Sequence, residues 1–283
     1  MFVFDLTIRN AVMMSMINLE DHLKAILSDI IGQSFGVDHQ KYLARNNYRD
    51  KPVTNPKFSR NEILYTLSNT ALRSRKEPIK HYREKYGIVP PWILFKDTYF
   101  ATIVNLIRFL KGPERNKLMY RLYGDQITQS NIEAYKDLLS DTLFICLDYR
   151  NQAAHGGRIY NYIPKSILRP FNELEFSQGL PQLIASLGYL NYEIPLKQID
   201  KAISRAINHY CNTYPTKEDI DRLSDATGFT IARETRVWAN EKTKTYHSNQ
   251  HCSGSHNLKS TLYDEALSSG YSPCKRCFVK NSK

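Results

Sequence analysis

Leu147-Asp148-Tyr149-Arg150-Asn151-Gln152-Ala153-Ala154-His155-Gly156-Gly157-Arg158-Ile159-Tyr160-Asn161 closes an apolar run that begins near Asn131. Ile132, Tyr135, Leu138, Leu139, Leu143, Ile145, Cys146 and Leu147 recur there at helical spacing, so the stretch reads as the end of a helix facing a core. Gly156-Gly157 stops that helix, because glycine tolerates the left-handed conformation used just past a helix end. Arg150 and His155 are thus delivered to the terminus of a rigid element, beside a turn. Asn151 and His155, four apart, share a helix face, whereas Arg150 and His155, five apart, diverge by roughly 140°. They would meet around a ligand, or across a second copy of the motif, sooner than they would touch each other. The negative end of the helix macrodipole favours the imidazolium of His155, and a histidine that titrates near neutrality suits proton transfer.

Outward from this stretch the same periodicity recurs. Val12, Met13, Met16, Leu19, Leu23, Ile26, Leu27, Ile30 and Ile31 predict a long amphipathic helix from Asp5 to Gly32 that contains Glu20. Asp38 to Pro56 reads as a polar loop after a short helix, and Ser59 to Lys76 and Ile79 to Tyr86 resume helical spacing. Pro90-Pro91 opens a helix predicted to run unbroken from Trp92 to Leu110, followed by a short basic one from Glu114 to Tyr123. Beyond the motif, Leu180 to Leu190, Ile194 to Tyr210 and Lys217 to Ala226 are again helical. No alternating strand pattern interrupts this part, so an all-α bundle is expected over residues 1–232.

A net charge of +11 and a pI near 9.3 favour a polyanionic partner. Nucleic acid is the economical choice, because Lys96, Asp97 and Arg108 break the most apolar candidate for a membrane span and Asp5 and Arg9 break any secretory leader. A cytoplasmic protein with no membrane association is expected. Nineteen tyrosines, several beside Arg, Lys or Asn, add aromatic faces that could stack unpaired bases.

Arg-Asn-x-x-Ala-His-x-x-Arg-x-x-Asn, from Arg150 to Asn161, resembles the signature of HEPN ribonucleases, in particular the abortive-infection proteins of the AbiD/AbiF group. That group is similar to the HEPN nucleases of RNA-targeting CRISPR effectors. The resemblance extends weakly to about Phe229 and implies a metal-independent endoribonuclease whose Arg-x4-His motif is paired in a homodimer. By that likeness Arg150 would hold the scissile phosphate, His155 would move the proton of the attacking 2′-hydroxyl or of the leaving oxygen, and Asn151 would orient His155 or the phosphate. Glu20 would steer Arg150 or His155; read from the residues alone, it is an ordinary solvated position. The group usually carries a further segment before the first helix. The likeness also implies restraint until infection, in some relatives by a small structured RNA.

After Arg236 the character changes. Trp238 to His247 suggests a short hairpin turning at Asn240, followed by a helix from Thr261 to Ser268 and by Pro273-Cys274-Lys275-Arg276-Cys277. Cys274 and Cys277 in one knuckle, with His247 and Cys252 from a separate loop, supply the four donors that tetrahedral zinc prefers. His251 and His256 are near enough to replace His247. The segment also resembles small zinc-binding modules with Tyr-His-x4-Cys followed by Ala-Leu-x-x-Gly-Tyr-x-Pro-Cys-x-x-Cys. A small α/β module over residues 236–283 holding a structural Zn2+ is expected, with Cys146 and Cys211 as buried thiols and no disulfides. Two other readings stay open: a non-enzymatic RNA-binding regulator, and a DNA-binding zinc protein.

Overall fold

The computed structural model describes residues 1–172, 174–214, 216–231, 236–252 and 257–278. Helix α1 (Phe2–Phe35) is followed by α2 (His39–Tyr42), α3 (Arg60–Arg73), α4 (Ile79–Tyr86), α5 (Pro91–Leu94), α6 (Phe100–Phe109), α7 (Gly112–Tyr123) and α8 (Ile132–Ala154). Past the motif come α9 (Leu180–Gly188), α10 (Ile194–Thr213) and α11 (Lys217–Thr227). The rest is β1 (Arg236–Asn240), β2 (Thr245–His247), β3 (Lys259–Leu262), α12 (Tyr263–Ser268), β4 (Ser272–Pro273) and α13 (Lys275–Phe278). The N-terminal region is therefore mostly helical, as its periodicity predicts, and a small four-stranded sheet follows it.

The first helix buries one long apolar stripe, as its periodicity predicts. Ile8, Val12, Met16, Leu19, Leu23 and Leu27 are fully buried on it, and Ser15 and Ser28 are buried too. It packs against α5, α6, α7, α8 and α10, so it is the axis around which the others gather. Ser15 and Asn18 both donate to Gln198 Oε1 on α10, at 3.1 and 3.0 Å. By length and composition alone α1 is long and apolar enough to cross a membrane, a test that the core helix of a folded protein also passes.

Trp92 to Leu110 is itself not one helix. It divides into α5, a 3-10 turn at Phe95–Asp97, and α6, with Thr98 and Tyr99 extended between them. Thr98 Oγ1 donates back to Leu94 O at 2.9 Å, and this local side-chain bond competes with continuation of the helix. Apolar density is high on both sides of the break, so periodicity carries no trace of it.

Among the described residues there are two separate hydrophobic cores. The large one joins α1 to the other helices, and the small one gathers Val237, Tyr246, Tyr263 and Ala266 under the sheet. The sheet order is β3-β1-β2-β4, antiparallel at β1–β2 and β1–β3 and parallel at β2–β4. The hairpin turns where expected, with Asn240 Oδ1 accepting from the backbone of Lys242 and Thr243 at 3.0 and 3.2 Å. The helix expected from Thr261 starts later: Thr261 and Leu262 belong to β3 and pair with Val237 and Arg236.

Candidate active site and metal centre

Helix α8 ends as its sequence predicts. His155 is its C-cap, Gly156 adopts φ 70°, Gly156 N–H donates to Ala153 O at 3.2 Å, and Gly157 N–H donates to Gln152 O at 2.9 Å. This paired closure satisfies carbonyls that the helix end would otherwise leave open. Gln152 Nε2 crosses over Gly157 to reach Arg158 O at 3.1 Å, and a Cβ on Gly157 would lie 2.3 Å from that amide. The turn after the motif is thus pinned by a side chain of the motif.

Helix α1 pins it from the other side. Asp5 Oδ1 accepts from the backbone N–H groups of Ile159 and Tyr160 at 2.7 and 3.1 Å, and Arg9 Nη1 donates to Gly156 O at 2.9 Å. The chain then runs back along α8: Tyr149 OH donates to Tyr162 O, Asp148 accepts from Ser166 N, and Asp141 accepts from Arg169 Nε at 2.8 Å. Burial, and next the Tyr162 phenol, push the Tyr149 hydroxyl well above the ordinary phenol range, so it is a permanent donor. Asp5 and Arg9 read in the sequence only as charges interrupting a leader. Their i, i+4 spacing on one helix face was the available signal.

Arg150 is half-buried and His155 is exposed, and among the described residues no bond joins them. Arg150 Nη1 donates to Asn151 Oδ1 at 3.5 Å, so Asn151 addresses Arg150 and not His155. Arg150 Nε is buried with no hydrogen-bond partner. A buried donor left unpaired costs about 1–3 kcal/mol, which a bound acceptor would recover. Glu20 pairs with Lys24, one turn on along α1, at 2.6 Å.

The second constellation is in the sheet. His247 on β2, Cys252 in the following loop, and Cys274 and Cys277 around the start of α13 place one donor atom each, all within 4.8 Å of one another. Cys252 Sγ is 4.0 Å from Cys274 Sγ, and Cys277 Sγ is 3.8 Å from His247 Nδ1. Tetrahedral zinc with bonds near 2.3 Å sets its sulfur ligands about 3.8 Å apart, so the cluster fits a metal such as zinc. Nδ1 of His247 is the inward nitrogen, and Nε2 faces Thr245 Oγ1 at 3.4 Å. Burial lowers the pKa of His247 and so favours the neutral, ligating imidazole. Burial, then the neighbouring thiols of Cys277 and Cys274, push the Cys252 thiol up to about 11. Against burial, the backbone N–H groups of Cys277 and Arg276 hold Cys274 below the ordinary thiol range, so it ionises before Cys252. His251 is exposed and outside the cluster, and His256 lies outside the described residues. All five cysteines are free, and Cys146 and Cys211 are buried among helices.

A family model described as "Abi-like protein" matches residues 1–161, from α1 through the last residue of the motif stretch. The match stops short of Phe229 and leaves α9 to α11 and the sheet outside it. No curated protein and no solved structure matches the chain.

Proposed function

The chain belongs to the Abi-like family of abortive-infection proteins, and from that premise we propose that it is a metal-independent HEPN endoribonuclease of a bacterial anti-phage or toxin–antitoxin system. RNA is cleaved by attack of a 2′-hydroxyl on the adjacent phosphorus. The bond to the 5′-oxygen breaks, and a 2′,3′-cyclic phosphate and a 5′-hydroxyl remain. Arg150 holds the phosphate and the charge that develops on it, and His155 takes or gives the proton. Asn151 presents its amide to Arg150 and, through its exposed NH2, to the phosphate.

The observation that carries this reading is Arg150 Nε, a buried donor without a partner on a helix end held rigid by Asp5, Arg9 and Gln152. The divergence of Arg150 from His155 within one chain supports pairing in a homodimer, where the arginine of one copy would meet the histidine of the other. Zinc in the His247–Cys252–Cys274–Cys277 cluster has a closed ligand set and a structural role, holding a module that assists RNA or partner binding. An intracellular location accompanies this function.

The test is incubation of wild type and His155→Ala with end-labelled RNA in EDTA, with mapping of the product ends. Cleavage by wild type alone, leaving cyclic phosphate ends, is expected. Equal cleavage by both would remove His155 from the chemistry. No cleavage by either, with RNA tightly bound, would favour a non-enzymatic RNA-binding regulator. That rival draws on His155 itself, whose ring has no hydrogen-bonded neighbour among the described residues to fix its tautomer.

A further inference from the structure

A second cationic site lies further toward the N-terminus of α8. Arg49 donates through N–H to Phe109 O and through Nε to Arg108 O, both at 2.9 Å. Arg108 lies 5.2 Å over the Phe144 ring and donates to Asn105 Oδ1, and Arg115 Nη2 donates to Lys136 O at 3.1 Å. Arg108, Arg115 and Lys136 line one cleft with Ser140 and Leu143. The three arginines are half-buried, and their guanidiniums are oriented by carbonyls, an amide and an aromatic face. Among the described residues none of them has a carboxylate at ion-pair distance. The acids nearby are engaged elsewhere, Glu133 with Lys136 at 2.6 Å and Asp137 with Arg169 at 3.6 Å. Burial, and then the Arg49 charge, lower the pKa of Arg108 and of Arg115, although Glu133 and Asp137 partly offset the crowding at Arg115. Lys51, exposed beside them, is lowered by burial and then by Arg49, Arg108 and Arg115, against a smaller opposing pull from Asp137.

Oriented donors, partial desolvation and positive charge in excess of its carboxylate neighbours are what a phosphate site needs. Counting 100° per residue, Lys136, Ser140, Leu143 and Arg150 fall within an arc of about 80° on α8, and Lys136 precedes Arg150 by about 21 Å. The α8 residues that line the cleft and the motif arginine therefore share one face of that helix, with Arg108 and Arg115 reaching the cleft from α6 and α7.

We infer that Arg49, Arg108 and Arg115, with Lys51 beside them, form a site for a backbone phosphate of single-stranded RNA, a few nucleotides from the phosphate at Arg150. That the strand is RNA rests on the function proposed above; the phosphate chemistry does not.

The test measures binding of a labelled 2′-O-methyl RNA oligonucleotide, which has no 2′-hydroxyl to attack, to full-length wild type, Arg115→Gln and Lys51→Gln over a range of salt. Each variant should bind more weakly by a similar factor whatever the base sequence, with a slope of log affinity against log salt shallower by about 0.7–1. In parallel, inorganic phosphate should raise the melting temperature of wild type above that in chloride of equal ionic strength, and raise that of Arg115→Gln less. Should Arg115→Gln fail to fold, Lys51→Gln decides, because its exposed side chain holds nothing in place. Unchanged slopes in folded variants would overturn the site. Stabilisation by phosphate with unchanged oligonucleotide binding would overturn the strand and leave a site for free phosphate. Neither result depends on cleavage, so the nuclease assay fails or succeeds on its own.

Discussion

Asp5 is the residue on which the geometry of the motif most depends, because one buried carboxylate oxygen takes two backbone N–H groups from the chain just past it. Asp5→Ala should leave both donors unpaired and cost about 2–3 kcal/mol, seen as a lower urea midpoint with an unchanged slope. Cleavage should fall with it, since the turn that presents His155 loses its anchor. His155→Ala should lower the cleavage rate by about 10²–10⁴ and leave RNA affinity nearly intact, while Arg150→Ala should weaken both. Equal loss of binding in the two variants would mean that His155 only grips phosphate.

Among elements, α8 and its closing turn were the most legible in sequence, because a 3.6-residue apolar period and a glycine pair are local signals. Gly156→Ala checks the turn: nothing lies within 4 Å of the added Cβ, so the left-handed φ of 70° alone should cost about 1 kcal/mol. A loss well above that would mean that the turn carries contacts beyond its own backbone. The Cys-x2-Cys knuckle was legible for the same local reason. What stayed hidden is non-local. Asp5 meets residues more than 150 positions away, β3 finds its register only against β1, and the break at Thr98 depends on one hydroxyl in a continuous apolar run. The role given to Glu20 came from likeness and not from its own surroundings, and on α1 its partner is Lys24.

At the scale of the whole molecule, two cores among the described residues and a Cys3His cluster confined to the sheet region lead us to propose that the sheet folds as its own unit. Cys274→Ser, or prolonged chelation, should release the metal and unfold the sheet while far-UV helical signal and the main melting transition persist; loss of both together would sink the two-unit division. The matched family stretch, residues 1–161, is by contrast not a natural unit, because α10 covers α1 and begins only at Ile194. A fragment ending at residue 161 should bind a hydrophobic dye and aggregate where the full chain does not. The same arrangement sets a timetable during synthesis. A ribosome adding about 5–20 residues per second leaves roughly 10–40 s between the appearance of α1 and that of the helix that shields it. For that interval the longest helix of the nascent chain, with its apolar stripe uncovered, is a ready client for chaperones, and its capture or delay would govern how much finished protein a cell accumulates.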